Sequence, residues 1–335
     1  MTERVLGGDG FRAVMGLRLL ESAFERPAAE ALEVIAELSL AGPQPSLPIA
    51  ELRRRYRLSR RPLLAPFESV DSVTHIASPG EGVPPLTLVR PRCAVAGVTI
   101  PAIVYLHGGG WCVGDLGSYE PFCRQLANAL NATIIYVDYR LAPEHPFPAA
   151  FNDTRSALAW VRRNAGHLMI DPGRIGIGGD SAGGNLAAAA CIAAREAYET
   201  PLWIQILIYP ALDMLACLAS HQEFSEGYLL TADLYAWYRR NYVGGFSKPG
   251  HWRLSPLFIH DPSGLPPAVI LYAGFDPLRD EAIAYADRMR RAGVAVECIG
   301  FSDMIHGFMT MGGRIPAAAA GVARIAQAVG TLTAP

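Results

Sequence analysis

Short apolar runs that alternate with longer helical patterns, from about residue 85 onward, most constrain the fold of this chain. The apolar runs, rich in β-branched and other aliphatic residues, occur at 86–89, 102–106, 133–137, 174–177, 204–209, 268–272 and 295–299. Helical patterns occur at 118–130, 151–164, 182–197, 279–292 and 315–329. Near-continuous apolar strands separated by helices are typical of a mostly parallel sheet that is covered on both faces. We therefore predict an α/β fold.

The interval between Tyr209 and Ala268 breaks this alternation. It holds about 60 residues, with one helical pattern at 231–242, and is too long for a simple crossover. We expect an insertion above the carboxyl ends of the strands, where the ligand sites of such sheets lie. Near the N-terminus, apolar residues three and four positions apart predict two helices that Pro27 separates. These residues are Phe11, Val14, Met15 and Leu19, and then Leu32, Ile35 and Leu38.

The charges nearly balance, with 29 Lys and Arg residues against 31 Asp and Glu residues and a net charge of −2. This balance gives the whole chain no attraction to nucleic acid or to an anionic membrane, and it fits an uncharged substrate. A run of arginines can bind nucleic acid or lipid, but on an acidic chain we interpret it as a solvated face without a function. The run consists of Arg53, Arg54, Arg55, Arg57, Arg60 and Arg61.

Neither a membrane span nor a metal site is predicted. No window reaches the roughly 18 apolar residues of a span, and the first residues lack the apolar segment of a secretory signal. The six cysteines form no CxxC pair and lie near no histidine at the spacing of zinc ligands. We therefore expect a cytoplasmic protein without a metal, a cofactor, a disulfide framework or stable membrane insertion.

A strand, a tight turn and a helix surround Ser181. The apolar run at 174–177 leads into the sequence GDSAG at 179–183, and an Ala-rich helical pattern follows. A G-x-S-x-G turn needs glycine on both sides of the serine because the backbone bends sharply beside a strand and a helix. The serine hydroxyl is thereby exposed as a candidate nucleophile. The stretch also approximates a dinucleotide loop, but Ser181 stands in place of its third glycine and no ribose-binding acid follows about 20 residues on.

Three consecutive glycines, Gly108 to Gly110, follow His107 directly after the apolar run at 102–106. Consecutive glycines let a loop turn several N–H groups toward one point, as the binding of an oxyanion requires. The alternative is a plain hinge after a strand. One strand and its crossover separate this loop from the Ser181 turn, and lipases and esterases use an HGGG-type loop for the second oxyanion donor. The spacing therefore favours an oxyanion hole.

A serine nucleophile needs a base, and the base needs an acid that holds it in one tautomer. Where a G-x-S-x-G turn carries the serine, the chain order is Ser, then Asp or Glu, then His. Asp276 follows the run at 268–272, and His306 follows the run at 295–299. We therefore predict Asp276 as the acid and His306 as the base.

Other carboxylates compete with Asp276. Asp280 and Glu281 fall in the first turn of the next helix, where the helix dipole is enough to account for them. Asp303 is three residues before His306, and a carboxylate in the same loop is rarely aimed at the imidazole. We interpret Asp180, beside the nucleophile, as a brace for the turn.

With these residues assembled, the chain resembles the hormone-sensitive-lipase group of α/β-hydrolases, bacterial carboxylesterases that carry HGGG and GDSAG motifs. The blocks that carry the resemblance are 107–111, 138–144, 179–184, 255–257, 274–281 and 306–308. The resemblance implies an α/β-hydrolase fold with a mostly parallel central sheet, helices on both faces and a helical cap. It implies the nucleophile Ser181, the acid Asp276 and the base His306. It also implies oxyanion donors at the backbone N–H groups of Gly108, Gly109 and Ala182.

The resemblance further implies a division of the chain. A helical cap segment would occupy 1–55 and a cap insertion 212–258, and the hydrolase core would occupy 56–211 and 259–335. Two departures from the family stand out: Asp303 replaces a glycine that often precedes the catalytic histidine, and the first 60 residues match in helical character only. Candidate pocket residues are Trp111, Phe224, Leu230, Trp237 and Phe308. For Phe224 and Trp237, a place in the core is an equal alternative.

We expect a serine carboxylesterase that hydrolyses short- to medium-chain acyl esters through an acyl-enzyme. Because the base must be neutral and a free imidazole has a pKa of about 6.5, activity should fall at lower pH. An amidase or peptidase would use the same triad, and a ligand-binding homologue without activity is a second alternative. The expected partner is a small-molecule ester rather than nucleic acid, and the resemblance also raises a homodimer through an edge strand.

Overall fold

A computed structural model of the chain describes residues 26–41, 46–77 and 79–334. The first predicted helix, around Phe11 to Leu19, lies outside the described residues. The strands of the described chain are β1 Ser72–Ile76, β2 Leu86–Arg90, β3 Ile100–Leu106, β4 Thr133–Val137, β5 Ile170–Asp180, β6 Gln205–Ile208, β7 Ala268–Phe275 and β8 Val296–Ile305. They form one sheet in the order β1-β2-β4-β3-β5-β6-β7-β8.

Most neighbouring strands in this sheet are parallel. Only β2 runs antiparallel to its neighbours β1 and β4, and the pairs from β4 through β8 are all parallel. Every residue of β3 is buried. Because successive side chains of a strand point to opposite faces, Ala102 and Val104 enter the core on one face while Ile103 and Tyr105 enter the core on the other. The predicted mostly parallel α/β sheet is therefore confirmed.

Helices cover both faces of the sheet, as predicted. They are α1 Ala29–Ala41, α2 Ile49–Arg60, α3 Leu116–Leu130, α4 Ala149–Asn164, α5 Ala182–Glu196, α6 Ala219–Glu223, α7 Ala232–Val243, α8 Arg279–Arg291 and α9 Ala317–Leu332. The core on one face includes residues of α4, α5 and α8, and the core on the other includes residues of α1, α3 and α9. No helix in the described ranges is long and apolar enough to cross a membrane.

β1, α2 and the short helix α6 were not predicted, and all three have polar sequences. β1 forms one edge of the sheet, and none of its residues is fully buried, so it lacks the apolar run that marks the inner strands. α2 contains most of the arginine run, yet it buries Leu52, Tyr56 and Ser59 on its other face. The predicted boundary between residues 55 and 56 falls inside this helix. The helix was not predicted because its arginines obscure the apolar pattern of its buried face. The division of the chain into core and cap stays a prediction.

Parallel strands bring the candidate residues to one edge of the sheet. β3, β5, β7 and β8 all end there, and they are followed by His107, Ser181, Asp276 and His306 respectively. β8 is longer than the apolar run at 295–299 and includes Asp303. The prediction that Asp303 lies in the loop of His306 was therefore wrong. Its backbone carbonyl accepts a hydrogen bond from the N–H of Ala28, just before α1, at 3.0 Å.

Candidate active site

The backbone at Ser181 is strained in the way a nucleophile turn requires. Its φ of +54° and ψ of −117° lie in a region that residues with a Cβ rarely adopt. Hydrogen bonds from the strand β6 and the segment after it hold the conformation. The Ser181 N–H donates to the Ile208 carbonyl at 2.9 Å, and the Ser181 carbonyl accepts from the N–H of Ala211 at 3.1 Å.

The glycines on both sides of Ser181 allow α5 to begin against β3. A Cβ on Gly183 would collide with the backbone carbonyls of Leu106 and His107, and a Cβ on Gly179 would collide with the backbone of Gly183. No other residue type fits such close approach without a shift of the backbone. The N-terminus of α5 is thereby held against the glycine loop that follows β3.

Ser181, His306 and Asp276 form one continuous hydrogen-bonded chain. The Oγ of Ser181 lies 2.9 Å from Nε2 of His306, and Nδ1 of His306 lies 2.8 Å from Oδ2 of Asp276. Asp276 is fully buried, and its second oxygen accepts the N–H of Leu278 at 2.8 Å. Because an ionised carboxylate can only accept, the proton lies on Nδ1, and Nε2 is left to accept the hydroxyl of Ser181.

The competing carboxylates are occupied elsewhere. Asp280 accepts the N–H of Ser220 at 3.0 Å and pairs with Arg279 at 2.9 Å. Glu281 is fully buried, and its Oε1 lies 2.6 Å from Nε2 of His221 on α6. Its other oxygen accepts backbone N–H groups in the segment after β6. The helix dipole alone therefore does not account for Glu281, which ties that segment to α8.

Asp180 braces the glycine loop as well as the turn. Its buried carboxylate accepts the hydroxyls of Tyr105 at 2.9 Å and Tyr119 at 3.0 Å, and the N–H of Gly108 at 2.8 Å. Burial raises the pKa of the Asp180 carboxyl, although these three hydrogen bonds oppose the shift. Since the N–H of Gly108 is committed to Asp180, the prediction of Gly108 as an oxyanion donor was wrong.

Three other backbone N–H groups remain open beside Ser181. Those of Gly109, Gly110 and Ala182 have no hydrogen-bond acceptor among residues 26–41, 46–77 and 79–334. Gly109 and Gly110 have positive φ angles of +111° and +59° and line the same cavity as Ser181. A Cβ on Gly110 would run into the ring of Tyr238. The loop can therefore bind an oxyanion through the N–H groups of its second and third glycines, whereas its first and second were predicted.

His107 holds the start of this loop in place. Its imidazole is fully buried, stacks on the ring of Tyr139 at 4.3 Å between centroids, and lies with Nδ1 2.7 Å from the Gly108 carbonyl. Burial lowers the pKa of His107 to about 4. The ring is neutral near pH 7 and donates through Nδ1 to that carbonyl, so His107 orients the loop and does not exchange protons with a substrate.

A cavity of about 350 Å³ opens above Ser181 and His306. Of the predicted pocket residues, Trp111 and Leu230 line it. Its wall also contains residues of α1 and α2 and of the segment around α7, none of which was among the predicted pocket residues apart from Leu230. These are Leu38, Ser39, Tyr56, Ser59 and Arg60, and then Leu229, Leu234, Tyr235 and Tyr238.

The predictions of Phe224, Trp237 and Phe308 as pocket residues were wrong. Phe224 packs in the core against Phe275 at 5.7 Å between ring centroids. Phe308 is fully buried and packs against Phe301 at 5.1 Å. Trp237 is half-buried on α7, and it lies off the helical face that turns Leu234, Tyr235 and Tyr238 toward the cavity. Periodicity shows that these side chains face some apolar surface, but it does not distinguish a core from a pocket.

Nothing in the site resembles a metal centre. Within residues 26–41, 46–77 and 79–334, no group of three or more His, Cys, Asp or Glu side chains is arranged to hold a metal ion. The polar groups that converge on the cavity are a hydroxyl, an imidazole and backbone N–H groups. Such a set can transfer an acyl group through a serine and stabilise negative charge on its carbonyl oxygen.

Comparison with known proteins gives the same assignment. A family model described as alpha/beta hydrolase fold matches residues 103–310. The carboxylic ester hydrolase LipN of Mycobacterium tuberculosis is 41% identical over 247 residues, which are 71% of this chain and 65% of LipN. The ethyl acetate hydrolase of Pseudomonas putida is 34% identical over 86% of this chain and 91% of its own length.

A solved structure agrees over almost the whole chain. The Ser161Ala mutant of LAE6, an α/β-hydrolase from the metagenome of Lake Arreo in Spain, is 36% identical with a TM-score of 0.85. The match covers 91% of this chain and 98% of that one. This chain therefore belongs to the α/β-hydrolase fold family, in its hormone-sensitive-lipase-like group of carboxylic ester hydrolases.

Proposed function

We propose that this chain is a serine carboxylesterase that hydrolyses short- to medium-chain acyl esters, with Ser181 as nucleophile, His306 as base and Asp276 as acid. The observation that carries the proposal is the hydrogen-bonded chain of these side chains, whose serine end opens into the cavity. The predicted roles of Ser181, His306 and Asp276 agree with this geometry. The relatives named as ester hydrolases support the reaction class.

The proposed reaction begins with attack of the Ser181 Oγ on the ester carbonyl. Nε2 of His306 takes the hydroxyl proton, and Asp276 stabilises the imidazolium that forms. The oxyanion is held by the open N–H groups of Gly109, Gly110 and Ala182, and the loss of one such donor typically costs about 3–4 kcal/mol of transition-state stabilisation. His306 then gives the proton to the leaving alcohol, which departs and leaves the acyl group on Ser181.

Water completes the cycle by the same route. His306 takes a proton from water, the resulting hydroxide attacks the acyl carbonyl, and the tetrahedral intermediate again places its oxyanion against the three N–H groups. Collapse releases the acid and returns the proton to Ser181. The buried Asp276 keeps the imidazole in one orientation through both halves of the reaction.

The size of the cavity supports short to medium acyl chains. Its volume of about 350 Å³ is at the small end of the roughly 300–1,000 Å³ that ligand sites occupy. Bulky side chains, among them Trp111, Leu230 and Tyr238, line it. A cytoplasmic location and a homodimer through an edge strand also stay predictions.

Hydrolysis of p-nitrophenyl esters with acyl chains of increasing length tests the proposal. We expect the highest kcat/KM with a short or medium acyl chain, and a fall in kcat of about 10⁴-fold or more in Ser181→Ala. A matched ester and anilide distinguish an esterase from an amidase. Undiminished hydrolysis by Ser181→Ala would overturn the assignment of the nucleophile, and an inactive but folded wild type would favour a ligand-binding homologue.

A further inference from the structure

Arg60 differs from the other arginines of the run at 53–61. Arg53 pairs with Glu144 at 2.7 Å, Arg54 and Arg55 both pair with Glu51, and Arg57 lies 3.5 Å from Asp115. Arg60 has no acidic partner within 4.0 Å among residues 26–41, 46–77 and 79–334, and in that part of the chain it is the only lysine or arginine that lines the active-site cavity. The interpretation of the whole run as a solvated face therefore fails at this residue.

The guanidinium of Arg60 lies beside the proposed base. Its Cζ lies over the ring of Tyr56, 5.2 Å from the centroid. Its Nη1 and Nη2 lie 3.6 and 3.7 Å from the position that a Cβ of Gly307 would take, directly after His306. Nη1 is shielded from solvent and has no hydrogen-bond partner in the described chain. A charged donor in that state costs free energy that a bound acceptor would recover.

The polar groups around Arg60 do not supply that acceptor. The carboxylate of Asp180 lines the cavity too, but it already accepts two tyrosine hydroxyls and the N–H of Gly108. The hydroxyls of Ser59 and Thr310 donate to backbone carbonyls in their own segments, each at 3.1 Å. None of these groups therefore accepts a hydrogen bond from Arg60, whose side chain lines the cavity.

A guanidinium is matched best by a carboxylate. Its planar N–H groups can bind both carboxylate oxygens, and such charge-assisted pairs are stronger than hydrogen bonds between neutral groups. Apolar side chains that line the same cavity, such as Leu38 and Leu229, reduce the competition from water that weakens exposed pairs. In the described part of the chain, the cavity thus has a catalytic end and one positively charged side chain, Arg60, without an acidic partner.

We propose that Arg60 determines specificity by binding a carboxylate group of the ester substrate, so that the preferred substrates are half-esters or esters of hydroxy acids. The inference rests on the proposed esterase function and deepens it. It differs from the expectation of an uncharged substrate, which came from the net charge of the whole chain. Net charge reports long-range attraction and does not describe a single buried donor.

Two matched pairs of esters test the proposal and locate the carboxylate. For the alcohol half, 4-acetoxybenzoate is compared with 4-acetoxybenzamide, and for the acyl half, the monophenyl ester of adipic acid is compared with phenyl heptanoate. We expect kcat/KM to be about 10- to 100-fold higher for the carboxylate member of at least one pair. In Arg60→Met this ratio should fall to about one, and in Arg60→Lys it should fall only in part, because the ammonium keeps the charge but not the planar fork.

The ratio of kcat/KM for the carboxylate ester to that for its neutral counterpart is taken within each variant, so a general loss of activity does not affect it. Arg61→Met is the matched control, since Arg61 is the exposed neighbour and does not line this cavity, and it should keep the ratio of the wild type. A wild-type ratio near one in both pairs, or an unchanged ratio in Arg60→Met, would overturn the role of Arg60 while leaving the esterase function in place.

A binding measurement does not depend on turnover. Calorimetry with Ser181→Ala should show tighter binding of a carboxylate, 4-hydroxybenzoate or adipate, than of its neutral counterpart, 4-hydroxybenzamide or adipamide. Arg60→Met in the Ser181→Ala background should remove the difference. Equal binding of acid and amide in both comparisons would contradict the proposal, whereas failure of the wild type to hydrolyse any ester would contradict the proposed function instead.

Discussion

Two regions of the cavity differ in how their polar atoms are held. The catalytic edge consists of Ser181, Asp276, His306 and the loop at 107–110, all at the ends of parallel strands. The outer wall consists of the lining residues of α1 and α2 and those at 227–238. At the catalytic edge, almost every polar atom is fixed by a named partner, as the carboxylates of Asp180 and Asp276 illustrate. The outer wall is mostly apolar and leaves Arg60 without a partner in the described chain.

We infer from this difference that the catalytic edge carries out the reaction and that the outer wall selects the substrate. A reacting serine needs hydrogen-bond geometry that holds to within a fraction of an ångström, and strand ends in a packed sheet supply it. A wall of side chains on helices can exchange residues without moving the catalytic edge, so it is suited to choosing the substrate. Substitutions at the edge should therefore change turnover, and substitutions in the wall should change preference.

The largest effect is expected from Asp276→Asn. Asparagine cannot hold Nδ1 of His306 as a donor in the same way, so the imidazole loses the tautomer that accepts from Ser181, and kcat should fall by about 10⁴-fold. Asp303→Asn is the matched control and should keep most of the activity, because Asp276 holds His306. Hydrolysis of p-nitrophenyl butyrate by both variants provides the measurement. An equal loss in both variants would count against Asp276 as the sole acid.

A smaller loss of turnover is expected from Gly110→Ala. The added Cβ meets the ring of Tyr238, which displaces an open N–H group, and we expect kcat to fall by about 10²- to 10³-fold with little change in KM. In the double variant with Tyr238→Ala the collision is removed, so part of the activity should return. If the second substitution restores nothing, the collision with Tyr238 is not what lowers the turnover of Gly110→Ala.

His221→Ala should affect stability more than turnover. It removes the partner of the fully buried Glu281, and we expect the free energy of unfolding to fall by about 3 kcal/mol. Chemical denaturation measures the change, and Gln222→Ala, an exposed neighbour on α6, is the control.

The stability loss in His221→Ala should also depend on pH. Burial alone would lower the pKa of His221, but its hydrogen bond to Glu281 raises it above the ordinary value. A histidine whose pKa is higher in the folded than in the unfolded chain stabilises the folded state. This stabilisation is complete below the pKa of the unfolded chain, about 6.5, and is lost as the pH rises through the pKa of the folded chain. The difference between wild type and variant should therefore shrink above pH 6.5. A difference that grows with pH would contradict a raised pKa of His221 in the folded state.

The smallest effect is expected from Leu230→Ala in the outer wall. A wider cavity should move the acyl-chain optimum to longer chains and change the ratio of kcat/KM between long and short esters by about tenfold. Trp237→Leu, on the same segment but outside the cavity lining, should leave the ratio unchanged. A larger shift from Trp237→Leu than from Leu230→Ala would reverse the assignment of the wall.

The two regions also differ in how well the sequence predicts them. The catalytic edge could be predicted because each of its residues has a local signature: glycines around Ser181, and strands that end just before Asp276 and His306. The inner strands could be predicted for the same reason, since they are continuous apolar runs. The choice between Gly108 and Gly110 could not be made, because it depends on which N–H group a distant carboxylate, Asp180, already binds.

The outer wall had no comparable signature. Phe224 and Phe308 have the same apolar character as Trp111 and Leu230, and only the packing decides which of them meet the cavity. Arg60 was grouped with five other arginines, most of which form surface pairs. Its place in the cavity wall depends on how α2 packs against other helices, which the local sequence does not encode.

Covalent labelling shows whether Ser181 is an activated nucleophile. A fluorophosphonate is incubated with the wild type and with Ser181→Ala, and the adduct is located by peptide mass spectrometry. We expect one phosphonyl group per chain, on Ser181, with parallel loss of ester hydrolysis and no labelling of Ser181→Ala. Labelling of another residue, or labelling of the Ser181→Ala variant at the wild-type rate, would contradict it.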